Sequence, residues 1–169
     1  MSDASYSHVK GVIFDVDGTL ADSWKLGFDA TIVVLEKNDV PLITEEEYHD
    51  YTRYATPERL ARHAGLTPSD NDFAVVGQRL GNEFDDLYVG LVTTETAGFY
   101  PGISCMLSII PENVALGALT NACVGYAHAV FKTNCPVASI GANNEGGIYS
   151  RFQSIRGAGK CHEQLAHLY

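Results

Sequence analysis

Asp15 and Asp17, followed at once by Gly18 and Thr19, are the residues whose types and spacing most directly suggest chemistry. They close an apolar run, Val12-Ile13-Phe14, that reads as a β-strand. Side chains two apart on a strand share a face, so both carboxylates lean toward one pocket beyond the strand's carboxyl end. Neighbouring carboxylates repel unless a cation or a shared proton offsets them. Oxygen-only ligands of this kind suit Mg²⁺, which keeps several waters and takes further oxygens from a phosphate. Gly18 lets the backbone turn tightly and approach a ligand, and Thr19 adds a hydroxyl nearby. An Asp-Gly pair after a strand is also an ordinary turn and a hairpin signal, and the doublet alone leaves those readings open.

The elements that must position these groups follow from the rest of the pattern. Residues 10–14 are continuously apolar after Lys10, which predicts a first strand placed centrally in a parallel sheet. Residues 24–37 carry apolar side chains at 24, 28, 32 and 35, a one-faced helical stripe ended by Asn38-Asp39-Val40-Pro41. Thr44-Glu45-Glu46-Glu47 has the form of a capping box. Thr56-Pro57-Glu58 starts another helix, with Pro57 in its first turn and Gly65 as its stop. Thr67-Pro68-Ser69 opens a longer helix toward Thr93, interrupted by Gly77, Gly81 and Gly90, where bends or close helix contacts are expected. A short helix follows Pro101-Gly102, and residues 114–119 form a second buried strand that ends in Thr120-Asn121. Residues 122–132 return to helix, residues 136–140 read as a third short strand, and residues 161–168 as a terminal helix.

The whole string Val12-Ile13-Phe14-Asp15-Val16-Asp17-Gly18-Thr19-Leu20-Ala21-Asp22-Ser23 resembles motif I of the haloacid dehalogenase-like (HAD) phosphohydrolase superfamily. The Thr-Asn pair at the end of the second strand is similar to motif II of the same family. The resemblance implies an α/β fold, a HAD-like Rossmannoid core with a parallel sheet that is incomplete at the C-terminus, plus an inserted all-α helical cap. It places the core at residues 1–22 and 97–169 and the cap at 23–96. It further implies that Asp15 is the nucleophile that forms an aspartyl-phosphate, and that Asp17 protonates the leaving group and activates water. Mg²⁺ would be held by the Asp15 side chain and the Asp17 backbone carbonyl. Thr19, Thr120 and Asn121 would support or contact the phosphate, and Lys160 is the lysine nearest the place where the family has one. Arg53, Arg59 and Arg62 are the cap side chains suited to anionic oxygens, although ion pairs with neighbouring glutamates account for them equally well.

Closer likeness is to the phosphoglycolate phosphatase and β-phosphoglucomutase-like branch. It implies hydrolysis of a small phosphorylated metabolite, with a phosphosugar mutase as the alternative outcome of the same intermediate. The family's later motifs are missing: the last aspartate is Asp86, and beyond Asn121 the only carboxylate side chains are Glu145 and Glu163. That pattern is expected of a truncated or alternatively spliced form, and it makes a catalytically impaired homologue with a binding or regulatory role the second functional expectation. Three parallel strands would also leave a face or edge of the sheet open, which a homo-oligomer could cover.

Composition bounds the remaining classes. With 46% hydrophobic and 19% charged residues, the chain has the make-up of a globular protein. A net charge of −10 argues against non-specific binding to nucleic acid or anionic membrane. The first residues lack the charged and apolar regions of a secretory signal, so a cytoplasmic location is expected. Cysteines 105, 123, 135 and 161 show no zinc or redox spacing and read as reduced thiols, and the six histidines read as surface or structural.

Overall fold

The computed structural model describes residues 8–135 and 147–158. Three parallel strands, β1 (Gly11–Asp15), β2 (Ala115–Cys123) and β3 (Phe152–Ala158), form one sheet in the order β1-β2-β3. Between β1 and β2 lie α1 (Trp24–Lys37), α2 (Glu45–Tyr51), α3 (Thr56–His63), α4 (Phe73–Gly90) and the short α5 (Ile103–Ile109). α6 (Val124–Asn134) follows β2, and α7 (Gly147–Ser150) precedes β3. The fold is therefore an α/β core with an all-α segment inserted after its first strand. None of the described helices is long and apolar enough to cross a membrane.

Local signals fix the helix ends. Thr44 accepts a hydrogen bond from the Glu47 N–H while the Glu47 carboxylate accepts from the Thr44 N–H, so the capping box forms. Pro57 occupies the first turn of α3, and Gly65 ends it in the left-handed region at φ +79°. The long helix starts later than its periodicity predicts, at Phe73, because Thr67 turns back to donate both its N–H and its hydroxyl to the Asp70 carboxylate. Two of its glycines have a packing reason. A Cβ on Gly77 would stand 2.5 Å from the Pro57 carbonyl oxygen, and one on Gly81 3.1 Å from the Pro57 ring, so α3 and α4 touch backbone to backbone.

The sheet departs from expectation in three places. β1 is an edge strand among the described residues rather than a central one, and its Ile13 side chain is 74% exposed. Both crossovers step the same way along the sheet, and right-handed connections then send their helices to one face. Leu116, Ala118 and Thr120 are buried on that side, whereas Ile13 and its neighbour Leu119, 56% exposed, stand on the other. The third described strand is residues 152–158, a strand the periodicity does not predict, while the expected strand at 136–140 and the expected helix at 161–168 lie outside the described residues. Polar Gln153, Ser154 and Arg156 hid that strand, because an edge position with one open face tolerates them. Finally, β2 runs on to Cys123, so Thr120 and Asn121 lie within the strand rather than after it.

The core gathers Val16 and Leu20 from the turn after β1, Leu116 and Ala118 from β2, and Tyr126, Val130 and Phe131 from α6. Leu35, Leu60, Leu80 and Phe84 extend the same cluster through the helical segment. Tyr88 of α4 stacks on Tyr126 of α6, with ring centroids 4.3 Å apart and planes 17° apart, and so joins the inserted helices to the core.

Candidate active site

The chain leaving β1 folds into a tight loop held by one acceptor. The Val16 carbonyl receives the N–H groups of Thr19, Leu20 and Ala21, while Gly18, at φ +70°, donates to the Ala21 carbonyl. That loop presents Asp15 and Asp17 at the floor of a cavity of about 370 Å³, beside Gly18, Asn121 and Ala122. Its walls come from the inserted helices: Trp24 of α1, Tyr48 and His49 of α2, Tyr54, Arg59 of α3, and Phe84 and Tyr88 of α4.

The two carboxylates differ in environment. Asp15 is exposed, and the Thr19 hydroxyl donates to its Oδ2 at 3.0 Å. Asp17 is gripped by hydroxyls from three separate elements. Ser23 Oγ (2.9 Å) and Tyr88 Oη (3.2 Å) donate to Oδ1, and Thr120 Oγ1 (2.6 Å) donates to Oδ2. Ser23 stands at the N-cap of α1, yet its side chain caps nothing there and serves Asp17 instead. Burial, reinforced by the Asp17 charge, pushes the Tyr88 hydroxyl well above the usual phenol range, so it remains a donor. Tyr126, beneath it, is raised in the same direction by the same causes.

Of the residues singled out from sequence, Asp15, Asp17 and Asn121 line the cavity together. Thr120 lies beneath them, 3% exposed, with its hydroxyl on Asp17 and the Ala122 N–H donating back to it at 3.0 Å. Thr19 stands beside Asp15, and Lys160 lies outside the described residues. The three arginines separate. Arg62 pairs with Glu58 at 2.7 Å, and Arg53 lies over the Tyr54 ring. Arg59 is 5% exposed, reaches the cavity, and packs on the Tyr48 and Phe84 rings with Thr31 as its hydrogen-bond acceptor at 3.3 Å. No carboxylate pairs with it among the described residues. Its charge and burial together hold His63 neutral, with burial the larger cause and a pKa lowered to about 4.

Sequence reasoning missed Ser23, Trp24, Tyr48, His49 and Tyr88 as site residues. Ser23 and Trp24 adjoin the aspartate loop and were within reach of a local reading. Nothing local marks the other three, which arrive by helix packing.

For Mg²⁺ the donor set is that of a site built around one carboxylate. No three His, Cys, Asp or Glu side chains converge among the described residues. Asp17's oxygens already carry three donors, whereas Asp15 keeps Oδ1 without one. Mg²⁺ is commonly held by one or two carboxylates, with waters and substrate phosphate completing its shell. The described residues therefore fit an ion taken up together with a phosphate rather than one caged by protein alone.

Comparisons with known proteins bear on the family and the fold. The family model of the haloacid dehalogenase-like hydrolases matches residues 12–134. Among solved structures, CbbY from Rhodobacter sphaeroides in complex with phosphate superposes with a TM-score of 0.65 and 21% identity, over 88% of this chain and 63% of that one. A predicted phosphoglycolate phosphatase from Haemophilus somnus gives 0.60 and 16%, over 88% and 62%. A haloacid dehalogenase-like family protein from Streptococcus pneumoniae gives 0.59 and 18%, over 89% and 62%. The chain thus spans about three-fifths of the length of the structures it matches. No curated protein matches it.

Proposed function

This chain belongs to the haloacid dehalogenase-like hydrolases, and on that premise we propose that it is a Mg²⁺-dependent phosphohydrolase acting on a small phosphorylated metabolite. The observation that carries the reading is the pairing of an accessible carboxylate, Asp15, with a second one, Asp17, immobilised beside it by three hydroxyls. Asp15 attacks phosphorus while the bond to the leaving oxygen breaks, and that oxygen takes a proton from Asp17. The resulting aspartyl-phosphate is then hydrolysed: Asp17 accepts a proton from water, the water oxygen bonds to phosphorus, and Asp15 is released with inorganic phosphate. Bound at Asp15 together with the phosphate, Mg²⁺ would supply positive charge to the phosphoryl oxygens. Arg59 adds a cation from the cap wall, and its guanidinium, which no carboxylate pairs with among the described residues, suits an anionic ligand. The helices of residues 23–96 act as the lid that excludes water and contacts the leaving group.

A second reading, binding without turnover, is favoured by the single carboxylate available to a cation among the described residues. Release of phosphate from a generic phosphomonoester, with and without Mg²⁺ and beside an Asp15→Asn control, separates the two. Mg²⁺-dependent release that disappears in the control is expected. Folded protein that binds phosphate but releases none above the control would transfer the conclusion to binding.

A further inference from the structure

The cavity is unusual in the kind of hydrocarbon it offers. Among the described residues, its apolar lining apart from Ala122 is aromatic, with no leucine, isoleucine, valine or methionine. Tyr48, Phe84 and Tyr88 are buried, so packing of the cap accounts for them. It does not account for Trp24 and His49. Trp24 is 41% exposed, His49 is exposed, and the two rings lie against each other at 5.3 Å and 43° on the cavity wall. Their position is fixed from both sides. Trp24 directly follows Ser23, whose hydroxyl holds Asp17, and His49 is braced edge-on by Tyr48 at 5.5 Å and 71°. A large indole left half in water next to two carboxylates is a surface that gains by being covered.

From this pair we infer that the leaving group carries a planar π system, attached closely enough to the phosphate to lie on Trp24 and His49 while phosphorus faces Asp15. The inference rests on the phosphohydrolase reading for the identity of the phosphate site and goes beyond it in naming the substrate class. The cavity's size agrees, since about 370 Å³ lies in the range of pockets that enclose drug-sized ligands rather than a two-carbon acid. The ring-lined wall selects by stacking, which tolerates many ring types, and among the described residues the lining offers no aliphatic side chain that would suit a branched chain. The recognised chemistry is a flat ring; a nucleobase carried on a sugar and a ring bonded directly to the phosphate oxygen are its two sources.

Trp24 is the chain's single tryptophan, so intrinsic fluorescence reports on it alone. The full chain carrying Asp15→Asn, with Mg²⁺ present, is titrated with adenosine 5′-monophosphate, phenyl phosphate and ribose 5-phosphate, exciting beyond nucleotide absorption. At least one ring-bearing ester should quench Trp24 and bind about fivefold or more tightly relative to ribose 5-phosphate, the lower end of what a ring stacked on an aromatic side chain contributes. Preference for the nucleotide assigns the sugar-spaced source, and preference for phenyl phosphate the direct one. By calorimetry, Trp24→Leu should weaken the ring-bearing ester relative to ribose 5-phosphate until the advantage is erased, and Trp24→Phe should keep most of it. Equal affinity for all three esters, no binding of any, or an unaltered preference in Trp24→Leu would overturn the inference. Phosphate release by the wild-type chain is measured separately. Ring-selective binding without release leaves the inference standing and removes the hydrolase reading, while equal binding and release of all three esters does the reverse.

Discussion

Replacing Tyr88 by phenylalanine removes one atom from the site and should separate proton delivery from the rest of catalysis. The Tyr88 hydroxyl is one of three donors on Asp17 and shares Oδ1 with Ser23, while its ring is held by Tyr126 at 4.3 Å and Phe84 at 4.8 Å. Phenylalanine preserves both ring contacts, so what is lost is the hydrogen bond. Bonds to charged groups contribute ~1.5–3 kcal/mol, and one as long as 3.2 Å belongs at or below the lower end. Because Ser23 and Thr120 still hold Asp17, a stability loss of ~1 kcal/mol is expected, a fall in Tm of ~2–4 °C for a chain of this size. The kinetic consequence is selective. General acid catalysis contributes ~10²–10⁴-fold where the leaving oxygen needs a proton. Loosening one of three restraints should lower kcat/KM about tenfold for an alkyl phosphate and less than about twofold for p-nitrophenyl phosphate, whose leaving group departs unprotonated. The assay is the ratio of the two kcat/KM values in wild type and Tyr88→Phe. An equal loss on both substrates would show Tyr88 to be structural only, and no loss on either would refute its role on Asp17.

Further expectations concern the helices that build the cavity wall. Gly77→Ala places a Cβ 2.5 Å from the Pro57 carbonyl oxygen, whereas Gly90 has open space around it. Overpacking at Gly77 should cost ~1–3 kcal/mol against a propensity gain of ~1, a net loss, while Gly90→Ala should be neutral or slightly stabilising; urea midpoints of the two variants test the contrast. Thr44→Ala removes the capping box of α2 and should cost ~1 kcal/mol by the same measurement. His63 supplies a pH dependence: its folded pKa of about 4 lies below the unfolded value near 6.5, so the folded state refuses a proton that the unfolded chain accepts. Its contribution is complete above pH ~6.5 and declines as pH falls toward ~4, by at most ~3 kcal/mol. His63→Gln should flatten that part of the stability profile, and an unchanged acid slope would show that His63 is not its source.

How much was legible from sequence depended on the reach of each interaction. The capping box, the proline start of α3, the glycine stop at Gly65 and the loop after β1 involve partners within a few residues, and each was readable where it stands. The contact glycines Gly77 and Gly81 were readable only as a question, because their reason is Pro57 on another helix. β1 lies at an edge among the described residues, whereas its apolar run states only that both faces suit burial, not what lies beside it. β3 was missed because an edge strand carries little apolar signal.

The site divides along the same line. The sequence by itself determined the chemical groups: two carboxylates at and just past one strand end, a glycine that frees the turn, and a hydroxyl on the second strand. Only the tertiary structure decided what holds them. Tyr88 lies 71 residues from Asp17 and Thr120 lies 103, and both reach it because α4 packs on α6 and β2 runs beside β1. Arg59 and Arg62 sit three apart on one short helix, yet Arg62 is neutralised by Glu58 and Arg59 faces the cavity with no acid paired to it among the described residues. A pattern of residue types specifies which groups can react. Burial, partner and distance are set by long-range packing, and these decide which of the groups are held in place and which are left free to meet a ligand.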